Sequence, residues 1–117
     1  MPYYRVDFRH TPLGTRNLVA FPYVRFQAAE GAIESVGGRL VELWYALGRD
    51  DGFAIVEAPD NESVIAAVLK VNAAGGVEAW TTPLATPEEF YSSLQRARDV
   101  TYEAPRGAPP EPEPEQS

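Results

Sequence analysis

The sequence predicts an α+β fold in which one antiparallel sheet carries its main helices on a single face. Short segments such as residues 3–10 alternate apolar and polar side chains, which is the period of a half-buried strand. Longer segments repeat apolar residues at helical spacing and end at a pair of adjacent glycines. These segments follow in the order strand, helix, strand, strand, helix, strand, which is the split β-α-β pattern.

The first strand is predicted over residues 3–10 because its side chains alternate between two faces. Its inward residues are Tyr4, Val6 and Phe8, and its outward residues are Arg5, Asp7 and Arg9. A connection that contains Pro12 and Gly14 follows. The first helix is predicted to begin near Pro22, since proline suits a first helical turn, and to stop at the glycine pair 37–38. Its apolar stripe consists of Phe26, Ala29, Ile33 and Val36.

Two further strands are predicted over residues 39–47 and 52–58, joined by a turn at residues 48–51. The inward residues of the second strand are Val41, Leu43, Tyr45 and Leu47, and its outward residues are Glu42 and Trp44. The adjacent acids Asp50 and Asp51 are either a carboxylate pair of an active site or the tip of the hairpin. Neighbouring residues of an extended chain point to opposite faces, and aspartate suits a tight turn, so the hairpin tip is favoured.

The second half of the chain repeats the pattern and adds a helix. A second helix is predicted from about Asp60, whose carboxylate can serve as the N-cap, to the glycine pair 75–76. Its apolar stripe consists of Val64, Ile65, Val68 and Leu69. The fourth strand is predicted over residues 77–84. A last helix over residues 86–99 opens with the Thr-Pro-Glu-Glu sequence of a capping box.

This order of elements predicts the ferredoxin-like fold, β-α-β-β-α-β with a C-terminal helix added. Both main helices would cover one face of a four-stranded antiparallel sheet. The other face, with Trp44 and Trp80, would be left uncovered. A second copy of the chain is the simplest cover, so we expect a homodimer that packs sheet face to sheet face.

Composition excludes several classes of function. The 117 residues carry a net charge of −7 without a basic stripe, which argues against a nucleic-acid partner. The chain has no cysteine and a single histidine, which excludes thiolate chemistry and a histidine-rich metal site within one subunit. No window approaches the roughly 20 apolar residues that span a bilayer, and the first residues do not resemble a signal peptide. We therefore expect a cytoplasmic protein without membrane contact, metal or cofactor.

The chain is expected to divide into one folded domain, residues 1–102, and a tail, residues 103–117. The tail reads EAPRGAPPEPEPEQS and contains no large apolar residue. It cannot bury enough surface to offset its ordering entropy, so it is predicted to be disordered. Such a tail is either an inert solubilising extension or a polyproline-type segment that docks on a protein partner.

The motifs GGRLVELWYALGRDDGFAIVEAPDNES and GGVEAWTTPLATPEEF resemble those of the GYD domain family over Gly38–Phe90. The family is named for a glycine, a tyrosine and an aspartate after the second strand. Residues 48–51 match that motif, with Asp50 in place of the tyrosine. The resemblance implies a ferredoxin-like domain in a dimeric α+β barrel. The wider group includes cofactor-free monooxygenases, lactone isomerases and ligand-binding regulatory domains.

Two groups of residues are candidates for a functional site. The outward face of the first strand, with Arg5, Asp7 and Arg9, could bind a small anionic or aromatic molecule together with Trp44. Alternatively these charges pair across the dimer interface, where Arg and Trp are common. His10 is the one side chain whose ordinary pKa suits proton transfer near neutral pH, so it is the candidate catalytic base. The alternative for His10 is a surface or capping role.

Two hypotheses on function follow from these residues. The first is a binding module of the GYD type for a small molecule or a protein partner, because no complete catalytic constellation is visible. The second is a cofactor-free monooxygenase- or isomerase-like enzyme for a small aromatic or carbonyl substrate. In that case His10 would act as the base, and Arg5 or Arg9 would hold an anion.

Overall fold

The computed structural model of the chain describes residues 1–22, 24–48 and 50–107. Within these residues the elements are β1 (Tyr3–His10), α1 (Pro12–Ala20), α2 (Val24–Glu34), β2 (Arg39–Tyr45), β3 (Gly52–Glu57), α3 (Asn61–Ala73), β4 (Val77–Leu84) and α4 (Pro87–Ala97). The predicted α+β class with a C-terminal helix is confirmed.

The four strands form one antiparallel sheet in the order β2-β3-β1-β4. Strand β3 lies between β1 and β2, so the two strand-helix-strand units interlock as the split β-α-β pattern requires. Strand β1 is paired on both sides: Tyr4, for example, is opposite Val56 of β3 and Pro83 of β4. The register of β1 is therefore fixed by hydrogen-bond ladders to both neighbouring strands.

The hydrophobic core lies where helices α2 and α3 cover one face of the sheet. The inward side chains of Tyr4 and Val56 are buried there against Ile33 of α2 and Val64 of α3. The hydroxyl of Tyr4 donates a hydrogen bond of 2.7 Å to Oδ1 of Asn61. The one polar atom of this buried tyrosine is thus satisfied, as buried polar groups usually are.

The segment predicted as a connection is instead helix α1. Thr11 is its N-cap, because the Thr11 hydroxyl accepts the Gly14 backbone N–H at 3.0 Å, and Pro12 occupies the first turn. The same hydroxyl donates to the carbonyl of Gly75 at 2.7 Å, and the Thr11 N–H donates to the carbonyl of Gly76 at 3.1 Å. One threonine therefore starts the helix and fixes it to the turn before β4.

Strand β2 differs from its predicted extent and pattern. It ends at Tyr45, and Leu47 lies beyond it with a fully exposed side chain, so the prediction that Leu47 points inward is wrong. A β-bulge between Leu40 and Glu42 leaves Val41 without a cross-strand partner. Leu40, rather than the predicted Val41, faces the covering helices.

The apolar stripes of the two covering helices are also partly different from those predicted. On α3, Ile65 and Leu69 are exposed, whereas Val64 and Ala67 are buried. The prediction followed the larger residues, but the side of α3 that meets the sheet is the side with small residues. Helix α2 is described from Val24, close to the predicted start near Pro22, but Phe26 of its predicted stripe is exposed.

The predicted helix caps are confirmed. The Asp60 carboxylate accepts the backbone N–H of Ser63 at 2.8 Å, and hydrogen bonding by Ser63 lowers the pKa of the Asp60 carboxyl. Thr86 and Glu89 form the reciprocal pair of a capping box at the start of α4. Both helices therefore begin at the residue that the sequence indicates.

Met1–Ala85 form one compact unit, and a second begins at Thr86 and contains α4. Residues 103–107 of the predicted tail are exposed and belong to no helix or strand. Residues 108–117 of that tail, like Arg49 of the predicted turn, lie outside the described residues. The domain boundary at residue 102 stays a prediction. Among the described helices, none is long and apolar enough to cross a membrane.

We expect Gly14→Ala to destabilise the domain strongly, because a Cβ at Gly14 would overlap the carbonyl oxygen of Gly76. Gly31→Ala is the matched control: it lies within α2 and its Cβ would meet no other atom within 4 Å. That change should raise the free energy of unfolding by about 0.5–1 kcal/mol. Chemical denaturation of both variants measures the difference. Equal stability of the two would contradict the proposed docking of α1.

Candidate functional site

An apolar cavity of about 200 Å³ lies between the covered face of the sheet and helices α2 and α3. Apart from His10 and Tyr45, the described side chains that line it are apolar. Strand β1 contributes Val6, Phe8 and His10, so the cavity follows the inward face of the strand that is paired on both sides. Cavities of this kind between a sheet and its helices are common sites for small ligands.

The cavity exists because the facing surfaces carry small residues. Alanines at its wall are Ala28, Ala29 and Ala32 on α2, Ala67 and Ala74 near α3, and Ala54 and Ala79 on the sheet. Bulkier core residues such as Ile33 and Val64 keep the helices and the sheet apart. An alanine side chain cannot fill the remaining space, so a void larger than a few water molecules is left.

His10 is the last residue of β1 and lies on the covered face, at one end of the cavity. Its side chain is only 8% exposed. The Phe8 ring meets it edge-on at a centroid distance of 5.5 Å, and the Tyr45 ring stacks on it at 6.3 Å. Among the described residues, Nε2 of His10 is the one buried side-chain nitrogen or oxygen without a hydrogen-bond partner.

Asp51 approaches the other nitrogen of the same imidazole. Its Oδ2 accepts the His10 backbone N–H at 2.6 Å and lies 3.4 Å from Nδ1. The Asp51 backbone is held in turn, because its N–H donates to the Phe8 carbonyl and its carbonyl accepts the Ala46 N–H. The carboxylate is therefore positioned by main-chain bonds and not only by its own rotamer.

The adjacent Asp50 faces the opposite side of the sheet, where its Oδ1 accepts from Arg9 Nη2 at 3.1 Å. The two aspartates therefore do not form a carboxylate pair, as the hairpin interpretation expects. The hairpin interpretation did not identify Asp51 as a partner of His10. Asp51 is 41 positions away in sequence, and only the pairing of β1 with β3 brings the two together.

Gly52 allows the aromatic rings at this end of the cavity to meet. It lies between Phe8 and Tyr45 in the sheet, and those two rings are 6.0 Å apart. A Cβ at Gly52 would come within 2.5 Å of the Phe8 ring. A larger residue here would displace the rings that hold the His10 imidazole.

The predicted ligand-binding residues of β1 lie on the open face of the sheet, away from His10. Arg5 pairs with Asp7 at 3.0 Å and its guanidinium lies 4.2 Å from the centre of the Phe53 ring. Arg9 pairs with Asp50 and lies 6.0 Å from the centre of the Trp80 ring. These charges are therefore already partnered within the chain.

Trp44 lies on the same open face but is not next to the β1 charges. Strand β3 separates β2 from β1, and Phe53 lies between Trp44 and Asp7 in the register. The indole N–H of Trp44 donates to Glu42 at 3.0 Å. The role of these residues in ligand binding stays a prediction. Within the described ranges, no cluster of three or more His, Asp or Glu side chains is placed to hold a metal ion.

Comparison with known proteins gives a family and a fold. A family model described as GYD domain matches residues 4–94, which confirms the resemblance drawn from the sequence. No curated protein matches the chain. A solved structure described as the crystal structure of MtbAldR is similar, with a TM-score of 0.54 and 17% identity. The match covers 93% of this chain but only 59% of that one, so the likeness concerns the fold.

Proposed function

This chain belongs to the GYD domain family, and from that premise we propose that it is a binding module for a small, largely apolar molecule. The ligand would occupy the cavity between the sheet and helices α2 and α3. The observation that carries the proposal is the cavity itself, an apolar space of about 200 Å³ with the side chain of His10 at one end.

The lining of the cavity is almost entirely apolar, so the burial of an apolar ligand there is favourable. Water is a poor substitute, because a buried water usually has two to four polar partners. Among the described residues, His10 and Tyr45 are the only polar side chains in this lining. A molecule with an apolar body and one polar group fits the site better.

The volume of the cavity is enough for one ring or a short chain. An apolar cavity of roughly 150 Å³ is enough to bind benzene, and this one measures about 200 Å³. The rings of Phe8 and Tyr45 beside His10 favour an aromatic or flat molecule. Charged molecules would lose their hydration in such a site without gaining a partner charge.

We expect toluene to bind the wild-type chain and to raise its melting temperature. Saturation at about 100 times the dissociation constant would stabilise it by roughly 2.7 kcal/mol. Ala32→Leu places a larger side chain on the cavity wall and should abolish that shift. Ala66→Leu makes the same change at an exposed position outside the lining and should preserve it. An equal shift in both variants would refute binding in the cavity.

A second candidate function is a cofactor-free enzyme of the isomerase or monooxygenase type. The approach of Asp51 to Nδ1 of His10 supports it, because a carboxylate beside an imidazole can orient a histidine that acts as a base. For an isomerase, Nε2 would remove a proton from a carbon next to a carbonyl group and return it elsewhere.

If the chain is an isomerase of this type, we expect the wild type to catalyse exchange in D2O. The protons next to the carbonyl group of small cyclic ketones would be replaced by deuterium. Nuclear magnetic resonance would follow the exchange. His10→Phe should reduce the rate to that of buffer alone. Exchange that persists in the variant would exclude His10 as the base.

We also propose that the open face of the sheet is the interface of a homodimer. Trp44 is 57% exposed and Trp80 is 41% exposed on that face. Together with Phe53 they form an aromatic surface across the sheet that is costly to leave in water. The internal ion pairs of Arg5 and Arg9 leave few unpaired charges that would oppose the approach of a second copy.

If the homodimer forms through this face, Trp80→Glu should shift the chain toward the monomer, because each copy would bury an unpaired carboxylate in the interface. Leu69→Glu makes the same kind of change on the exposed side of α3 and should leave the mass unchanged. Sedimentation and native mass spectrometry measure the difference. A wild-type monomer, or dimers in both variants, would refute this interface.

The other partners stay predictions. A protein partner for the tail would depend on residues 103–117, most of which lie outside the described residues. The cytoplasmic location, and the expectation that nucleic acid and membrane are not partners, also stay predictions from composition.

A further inference from the structure

We infer that Asn72 and Pro83 close the outer edge of β4 to strand addition, and so prevent two copies of the chain from joining through their β4 strands. Strand β4 is an edge of the sheet, because the strand order is β2-β3-β1-β4. The unpaired backbone groups of an edge strand are a template for pairing with another chain. This inference concerns the edge of the sheet and does not depend on the proposed binding function.

The sequence of β4 would make an open edge prone to association. Before its proline the strand reads VEAWTT, which has a single charge and several residues that favour strands. Short segments with high strand propensity and low charge are the ones that tend to pair between chains. A second copy of β4 is therefore the partner against which this edge needs protection.

The pairing of β1 decides which backbone groups of β4 point outward. The Phe8 carbonyl accepts the Asp51 N–H, so the Phe8 backbone is directed toward the β3 side of β1. Ala79 is opposite Phe8, and its N–H and C=O are therefore directed away from β1. Because this direction alternates along a strand, Thr81 and Pro83 share the outward direction of Ala79.

Asn72, near the end of α3, occupies both outward groups of Ala79. Its side-chain nitrogen donates to the Ala79 carbonyl at 3.0 Å, and its Oδ1 accepts the Ala79 N–H at 2.7 Å. An amide that donates and accepts in this way makes the two hydrogen bonds that a residue of a neighbouring strand would make. A strand from another copy could pair with Ala79 only after both bonds had broken.

Pro83 protects the other end of the same edge. Proline has no backbone N–H, so this position offers an incoming strand only a carbonyl. Thr81 lies between the two protected positions and is too short a segment for a ladder by itself. An antiparallel pair of β4 strands centred on Thr81 would place Ala79 of one copy opposite Pro83 of the second copy. The two protected positions would then meet, and neither could bond fully.

The test opens this edge in the full chain. Asn72→Ala combined with Pro83→Thr would free three successive outward positions, including Thr81. Ala66→Gly is the control, because glycine destabilises the same helix, α3, at an exposed position and leaves the edge unchanged. We expect the double variant to form species larger than those of the wild type at a protein concentration at least tenfold lower, since each copy gains several hydrogen bonds.

Sedimentation velocity measures the size of these species, and infrared spectroscopy detects the added intermolecular sheet. A double variant that keeps the size of the wild type would refute the inference. Equal association of the double variant and Ala66→Gly would also refute it, because loss of stability alone would then explain the effect. A monomeric wild type would refute the proposed dimer through the open face but not this inference, since each variant is compared with the wild type.

Amide hydrogen exchange provides a second measurement that does not depend on association. In the wild type we expect the Ala79 N–H to exchange at least tenfold more slowly than the Thr81 N–H, because the former is bonded to Asn72. In Asn72→Ala the two rates should become similar. Equal rates in the wild type would overturn the inference, because Asn72 would then not occupy the edge.

Discussion

The pairing of β1 on both sides is the constraint on which the rest of the structure depends. Because β1 is bonded to β3 and to β4, a change of register would break two ladders and turn every side chain to the other face. The alternation along β1 therefore sends Arg9 to the open face and His10 to the covered face. The next hairpin follows the same division, since Asp50 pairs with Arg9 and Asp51 approaches His10.

The cavity follows from a mismatch in residue size on the covered face. Large residues such as Ile33 and Val64 set the distance between the helices and the sheet, and the alanines between them are too short to fill it. A natural core usually avoids such a void, because the atoms around it lose contacts. Here the void coincides with a buried nitrogen that lacks a partner. The unfilled apolar space is the reason to regard the cavity as a binding site.

The two faces of the sheet thus have different chemistry and suggest different roles. The covered face borders a small apolar space with one polar end, which suits a single small molecule. The open face displays Trp44 and Trp80 and partners its charges internally, which suits a broad protein surface. Membership of the GYD domain family is consistent with both roles but does not name a ligand, since one fold can hold many sites.

The sequence by itself determined the class of fold, the order of its strands along the chain and the caps at Asp60 and Thr86, because these depend on residues close together in the chain. The sequence also carries the signal for the start of α1, because the N-cap Thr11 precedes a proline just as the N-cap Thr86 does. The partnership of His10 with Asp51, the β-bulge and the alanine-lined cavity were decided only by the tertiary structure. They depend on pairing between different strands, which for His10 and Asp51 spans 41 residues, and on how side-chain volumes add up, which local patterns do not record.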